Sequence, residues 1–549
     1  MHDHLFKIAS VDRSLTRRSF VLKAGLLAAG SVIGTPLLGC AESQTELPCL
    51  GPAAAPVPSP GMTYIRASEI GCALDCDLKT GGNKYHDGPA TDDGPRINAA
   101  MAGASSTNPL TLIIDGSALI SGLFMPAGGY WSIAGLGCGT GFFVQSGINN
   151  DGIHNGPPNA VTITDPGPPA PPRGKNVSLS NFTLNGNQGN GHTGVSTTGQ
   201  PHGSDLVWYF GINLMSLDNI TIENLVVVNT AAYEIRLSNV GNVTVSGCVI
   251  QGVGVNTDGL HFDGPSNDIA ISNCSFATGD DSIALNCPEG YSGNISRVTV
   301  TGCTFNSLSV MRLYTASASA RFEIDSVTVS DCTGTLAEAA FPIGFIVNGN
   351  PGAVASLSVS SCTFTTPVVF GVAENFGALS ASNVTFFPMA LDWLTQPNHS
   401  AAFLRPSPAP NGLNAWGGSS LILKNCRAIR RENTGFAAIV MEEQSSIASL
   451  EFDGFTVQQA NFTDPATALL NLGPGSVQQL VLNSVDSSHI VAPVDANGFT
   501  GIGTVSGTGV LATQWRFPDA VMANGVPYIS ATTGQPSIKV NGVVEAYTP

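Results

Sequence analysis

The sequence predicts an all-β chain folded as a right-handed parallel β-helix, a solenoid with a short N-terminal capping helix, on three observations. A six-residue phrase recurs at intervals of about 22 to 30 residues. Apolar side chains alternate within it, and 63 glycines and 35 prolines with only 11% charged residues favour brief strands joined by turns over long helices. The phrase is a β-branched residue or Leu, any residue, then Ile, Val or Leu, two unrestricted residues, and Cys or another apolar residue. Good copies are Val243–Cys248, Ile269–Cys274, Val298–Cys303, Val327–Cys332, Leu357–Cys362 and Leu421–Cys426. Looser copies end at Phe182, Leu225, Val384, Phe455 and Val485, so successive last residues step by 43, 23, 26, 29, 29, 30, 22, 42, 29 and 30. Each of the two long steps holds either an extra coil or a long loop. Every turn of such a solenoid contributes short strands to long parallel sheets. With coils stacked about 4.8 Å apart, Cys248, Cys274, Cys303, Cys332 and Cys362 form an inward column of buried free thiols, packing as small apolar groups. Leucine-rich repeats lack support because their Leu/Asn spacing is absent, and a propeller needs longer blades of four strands.

From the N-terminus, residues 1–39 read as an export signal and stand apart from the fold. Thr16-Arg17-Arg18-Ser19-Phe20-Val21-Leu22-Lys23 leads into an apolar run from Ala24 to Leu38, too short and weakly flanked for a lasting membrane span. It resembles a bacterial twin-arginine signal. Leu37-Leu38-Gly39-Cys40 resembles a lipobox, which implies Cys40 as the lipidated first residue of the mature chain, held at the periplasmic or cell-surface face of a membrane. Residues 40–60, rich in Ala, Pro and Ser, read as a tether. Residues 61–515 read as a single β-helix catalytic domain. Near its start, Asp92-Asp93-Gly94-Pro95-Arg96-Ile97-Asn98-Ala99-Ala100-Met101 has the pattern of a short amphipathic helix with an acidic start, suited to covering an open first coil. With Asp87-Gly88 before it, the segment resembles the capping helix of pectate-lyase-type β-helix proteins. Residues 516–549 lose the phrase and read as the closing cap.

A net charge of −17 disfavours nucleic acid and anionic membrane surfaces as partners, because phosphates are bound through clustered Lys and Arg. It does not exclude an acidic polysaccharide, which local basic residues can receive. Of the 12 cysteines, Cys49, Cys72, Cys76 and Cys138 lie outside the regular ladder and are the better disulfide candidates, with the pairing left open. No Cys/His spacing reads as a zinc site.

Within this weakly charged repeat stand two acidic motifs, Asn256-Thr257-Asp258-Gly259 and Gly279-Asp280-Asp281. A second strand follows each phrase. Aligned by apolar alternation, Ile235, Leu260, Ile283 and Met311 stack inward, as do Leu237, Phe262, Leu285 and Leu313, and the outward column between them reads Arg236, His261, Ala284, Arg312. Asp258, Asp280 and Asp281 precede their strands by a residue or two and border this column. Like charges held a few ångströms apart resist joint ionisation, so one carboxyl can keep its proton while another stays anionic, the division of labour that glycosidic cleavage needs.

Asn256-Thr257-Asp258-Gly259 followed by Gly279-Asp280-Asp281-Ser282-Ile283-Ala284-Leu285-Asn286 is similar to the two acidic signatures of the polygalacturonase family of inverting glycoside hydrolases. The catalytic resemblance covers about residues 205 to 315. It implies Asp280 as the general acid that protonates the leaving oxygen, with Asp258 and Asp281 activating water. The chain departs from the family one coil later: Ser307-Leu308-Ser309-Val310 stands where a His-Gly pair is found, and Met311-Arg312-Leu313-Tyr314 keeps an arginine but lacks the lysine of an Arg-Ile-Lys motif.

These residues predict an exported glycoside hydrolase acting on a polysaccharide or an oligosaccharide from it, with no cofactor. Asn256, His261, Arg236, Arg312, Tyr233 and Tyr314 are the candidate substrate contacts, with Trp208 and Tyr209 as further stacking surfaces; each also has a plain reading as packing or as an ion-pair partner. Glu374, Glu442 and Glu443 read as parts of a solvated face. A polysaccharide lyase on the same fold, using calcium held by the same carboxylates, remains an alternative. So do a non-catalytic glycan-binding surface protein and a β-helix enzyme that rearranges sugars.

Overall fold

The computed structural model describes residues 47–548 except 57–60, 149, 156–166, 189–208, 255, 318–319, 345–351, 390–400, 407–415, 432–434, 442–444, 460–465, 474, 487–489, 495–500 and 509–515. The signal segment and Cys40 therefore lie outside the described residues, as do Trp208, Glu442 and Glu443. The chain forms two compact units, one of residues up to Ile295 with Thr304–Ser307, the other of Ser296–Cys303 and Leu308–Pro549. Both are built of parallel ladders, the right-handed parallel β-helix that the repeat predicts.

In the first unit Thr63–Arg66, Leu110–Ile114, Gly129–Gly135, Gly174–Ser180, Ile212–Glu223, Ile235–Ser246 and Leu260–Ser272 pair in parallel, each with the next. A second ladder runs from Ser117–Ile120 through Gly141–Val144, Thr183–Asn185, Val226–Val228, Val249–Gln251 and Ser275–Ala277 to Thr304–Ser307. The second unit repeats the plan. Glu323–Ser330, Ala353–Ser360, Asn375–Ser382, Gly417–Lys424, Ser446–Asp453, Ser476–Asn483 and Ile502–Ser506 form one ladder, and Ser309–Tyr314, Ala339–Ile343, Val368–Val372, Ala402–Pro406 and Ala437–Val440 belong to another.

The phrase is the inward half of this plan. Val243, Val245, Ile269 and Ile271 are buried, and so is the closing cysteine of every good copy. Each thiol sits two residues beyond a carbonyl that accepts from it, as Cys248 Sγ to Ser246 O (3.4 Å) and Cys332 Sγ to Ser330 O (3.0 Å). The position before the cysteine, which the sequence reading leaves unrestricted, has a strict requirement of its own. In the six good copies it is Gly247, Asn273, Gly302, Asp331, Ser361 or Asn425, each with φ between 50° and 66°. Only glycine and short polar residues accept this left-handed geometry at low cost, and it turns the chain from one ladder into the next. A second left-handed position, Asn176, Asn219 and Asn242, falls within the strands Gly174–Ser180, Ile212–Glu223 and Ile235–Ser246, just before the phrase. There the side chains ladder, Asn242 Nδ2 donating to Asn219 Oδ1 (2.7 Å) and Asn219 Nδ2 to Asn176 Oδ1 (3.0 Å).

The predicted helix is present at Gly94–Met101, with Pro95 in its first turn and Ile97 and Met101 buried. Its preceding acids tie it down: Asp93, fully buried, accepts from the backbone N–H groups of Ala73 (2.7 Å) and Leu74 (2.9 Å), and Asp92 from those of Gly94 and Ser121. Of the four disulfide candidates, Cys49 and Cys138 are bonded, which fixes a point inside the stretch read as a tether to the first unit, where Ala53 N also donates to Leu136 O. Cys72 and Cys76 are free. Cys76 packs with Leu78, Ala90, Leu119 and Phe143, and burial pushes both thiols up to about 12, which leaves them unreactive. Within the second unit, Pro527–Ile529, Pro536–Val540 and Val543–Ala546 form a small antiparallel sheet. Glu374 corrects the reading of a solvated face. It is buried, and it accepts from Thr315 Oγ1 and from the Ala316 N–H (3.1 Å).

A β-carbon on Gly247 would stand 2.4 Å from Asn224 Oδ1 in a left-handed backbone. Gly247→Val is expected to destabilise the protein by roughly 1–3 kcal/mol, and Gly247→Asn by less. Urea unfolding of both variants measures the difference.

Candidate active site

The two acidic motifs close adjacent coils, and their small residues explain why they can meet. Gly279 passes so near the preceding coil that a β-carbon would stand 2.2 Å from Gly254 O, and one on Gly259 would stand 2.5 Å from Ser282 O. Asn256 takes a left-handed φ of 59°, and Thr257 Oγ1 donates to Gly254 O (2.7 Å) while accepting from the Gly279 N–H (3.1 Å). The loops then exchange carboxylate bonds: the Asn256 N–H donates to Asp280 Oδ2 (3.0 Å) and the Asp281 N–H to Asp258 Oδ1 (3.3 Å). One oxygen from each of Asp258, Asp280 and Asp281 lies within 4.8 Å of the others, and all three residues are buried, at 5%, 2% and 2% exposure.

Beside this trio stands a second charged cluster. The strand register sets Arg236 against His261, as expected for the outward column. Neither is a surface residue, however, Arg236 being 2% and His261 0% exposed. His261 Nδ1 bonds Asp258 Oδ2 (2.7 Å), and its Nε2 faces Glu289 Oε2 (3.0 Å) and Asp263 Oδ1 (3.1 Å). Arg236 Nε and Nη2 both reach Asp263 Oδ2, at 2.8 and 2.7 Å. Tyr233 lies flat on the imidazole, with centroids 3.7 Å apart and planes 6° apart, and Phe210 stacks on Tyr233 at 5.2 Å while sitting 5.0 Å from the Arg236 guanidinium. Phe210 is held in turn by its N–H to Asp151 Oδ1 (2.9 Å), whose other oxygen accepts from Asn213 Nδ2.

The charge states follow from these contacts. Burial works against a charged His261, but hydrogen bonds to Asp258, Asp263 and Glu289 overcome it and lift the imidazole well above its ordinary range. Burial likewise opposes an ionised Asp263, and Arg236 and His261 reverse that and hold the carboxyl below its usual value. Glu234, one coil before Asp258, has no such cation among the described residues: burial pushes its carboxyl well upward, against the Thr230 hydrogen bonds. The oxygens of the second cluster could suit a divalent cation by distance, but an imidazolium and a guanidinium already supply the positive charge that such an ion would bring.

The structure thus brings together Asp258, Asp280, Asp281, Asn256, His261, Arg236 and Tyr233. Arg312 and Tyr314 lie on Ser309–Tyr314 of the second unit. Tyr209 is buried against Ala231. Sequence reasoning missed Asp263, although period-2 alternation from His261 places it on the same face. It also missed Glu289, which no pattern announces: it stands between Pro288 and Gly290, where the φ of Gly290 is +63° and strand alternation fails.

Fold and site together define a parallel β-helix with a buried aspartate cluster where two coils adjoin, a class of site equipped for proton transfer to and from a bound molecule. Residues 175–365, just over a third of the chain, match the model of Glycosyl hydrolases family 28, and that stretch contains every residue of both clusters. Among solved structures the chain is similar to a family 28 exopolygalacturonase from Yersinia enterocolitica, with 13% identity over 76% of this chain and 78% of that one and a TM-score of 0.48. It is similar also to a hyperthermoactive exopolygalacturonase from Thermotoga maritima, with 12% identity, 78% and 94% coverage and a TM-score of 0.48. A third is the A-module of a mannuronan C-5 epimerase from Azotobacter vinelandii, with 12% identity, 81% and 100% coverage and a TM-score of 0.47. No curated protein sequence matches the chain.

Glu234 yields a test of the electrostatics. A carboxyl whose folded pKa is raised contributes stability that is fully present below its unfolded value, about 4.3, and that is lost as pH rises through the folded value. Glu234→Gln removes that loss. The variant is expected to match wild type in melting temperature near pH 4 and to exceed it at pH 8, read by thermal unfolding across pH.

Proposed function

We propose that the protein is an exported glycoside hydrolase that cleaves glycosidic bonds of a polysaccharide, or of an oligosaccharide derived from one, with inversion. The observation that carries this reading is the aspartate trio, three carboxylates with oxygens within 4.8 Å of one another inside the stretch that matches family 28. In this reading Asp280 gives its proton to the glycosidic oxygen as the bond from the anomeric carbon to that oxygen breaks. Asp258 and Asp281 accept the proton of the water that attacks the same carbon. Inversion rests on the resemblance of the two motifs to polygalacturonases and not on spacing, since typical inverting pairs hold their carboxyl groups roughly 6.5–9.5 Å apart.

Arg236 and His261 are already engaged by Asp263, Asp258 and Glu289, so neither is offered to a uronate carboxylate as the sequence suggests. The substrate class therefore includes neutral as well as acidic glycans. Export by the twin-arginine route, with a lipid anchor at Cys40, is supported by the sequence of residues 16–40.

Asp280→Asn is expected to lower kcat by about 10²–10⁴-fold with its circular dichroism unchanged, because the carboxamide has no proton to give. A reducing-end assay over neutral and acidic polysaccharides finds the substrate, and NMR of the first-formed product reads the anomer; wild-type turnover by the variant would refute the assignment. For the anchor, Cys40→Ser is expected to move the protein from the membrane fraction to the soluble fraction of cells.

A further inference from the structure

We infer that His261 is a positioning residue for Asp258: clamped between Asp258 on one side and Asp263 and Glu289 on the other, it holds Asp258 as an anionic proton acceptor. The inference rests on the glycosidase reading above and assigns one role within it.

The geometry leaves the ring one role. Both nitrogens face carboxylate oxygens, Nδ1 at 2.7 Å from Asp258 and Nε2 at 3.0 and 3.1 Å from Glu289 and Asp263. A neutral imidazole has one N–H and would turn a lone pair toward a carboxylate, whereas the imidazolium donates on both sides. The ring cannot swing away to a substrate, being fully buried and stacked on Tyr233. The groups facing it are Asp258 from the acidic turn, Asp263 from its own strand and Asn286 and Glu289 from the next strand; Tyr233 lies on its face. Arg236, one coil back, compensates Asp263. Three carboxylates, Asp258, Asp263 and Glu289, thus meet two cations.

A cation in direct contact with one of three crowded carboxylates lowers the proton affinity of that one most. Asp258 has the imidazolium on Oδ2 and the Asp281 N–H on Oδ1. Both contacts favour its ionised form. The upward shift of the His261 pKa agrees with this, since the cation persists through neutral pH.

The test is the pH dependence of kcat/KM for wild type and His261→Gln, whose carboxamide can donate one hydrogen bond but carries no charge. The acidic limb, which reports protonation of the base, is expected to move up by about one pH unit or more, with KM changed less than about twofold. A raised KM with the limb in place would make His261 a substrate ligand, and a lowered melting temperature with the limb in place would make it structural; either overturns the proposal. Should His261→Gln not fold, ¹⁵N-histidine NMR of the wild-type protein decides. The His261 ring, identified by its through-space contacts to the stacked Tyr233 ring, should stay doubly protonated to pH 8, and a neutral His261 ring at that pH refutes the assignment. That measurement needs no turnover, so it separates a failure of this inference from a failure of the glycosidase reading.

Discussion

Coil-to-coil hydrogen bonding in a register that holds through each strand, apart from a one-residue shift between Ser238 and Gly241, is the constraint on which the rest of this protein depends. A parallel ladder ties each residue to one partner per neighbouring coil, so a side chain's place along the solenoid is settled by backbone groups that must be paired in any case. Ile235 against Leu260 and Leu237 against Phe262 fill the interior, and the same register sets Arg236 against His261 on the other face. A slip of one residue would exchange the two faces, burying the charged column in the core and expelling the isoleucines and leucines. The left-handed residue before each closing cysteine keeps that register, since it makes every coil turn at the same point.

The site is built on this scaffold by close approach at glycine. Gly259 and Gly279 let two acidic turns come near enough to exchange hydrogen bonds, and the like charges gathered there are offset by His261 and Arg236. Burying these ions is costly unless each has a partner of opposite sign and satisfied hydrogen bonds. For Asp258, Asp263 and Glu289 the chain supplies the opposite charge from its own side chains, His261 and Arg236. The two aromatic rings beneath, Tyr233 and Phe210, shield the ion pairs from water and fix the plane of the imidazole.

Much of this was legible in the sequence, for a physical reason. A solenoid converts sequence period into spatial adjacency, so the phrase that ends at Cys248, Cys274 and Cys303 was enough to give the strands, the inward residues and the neighbouring acidic turns. The burial of His261 and Arg236 was not legible, because alternation tells which face a residue occupies and not what covers that face. Glu289 was hidden by the break in alternation at Pro288, Glu374 by its burial against Thr315, and the fifth position of the phrase by its chemistry: glycine, asparagine, aspartate and serine share a tolerated dihedral angle and little else. The disulfide between Cys49 and Cys138 joins residues 89 apart in sequence, beyond any local pattern.

The buried cysteines have a consequence of another kind. Cys248 and Cys274 in the first unit, and Cys303, Cys332, Cys362 and Cys426 in the second, each mark one turn of the repeat, and each is sealed from solvent by the coils around it. A thiol reagent can reach one of them only when that turn opens. The protein therefore carries built-in sensors in six of its coils, through which local unraveling at those turns can be followed without a foreign label in the core.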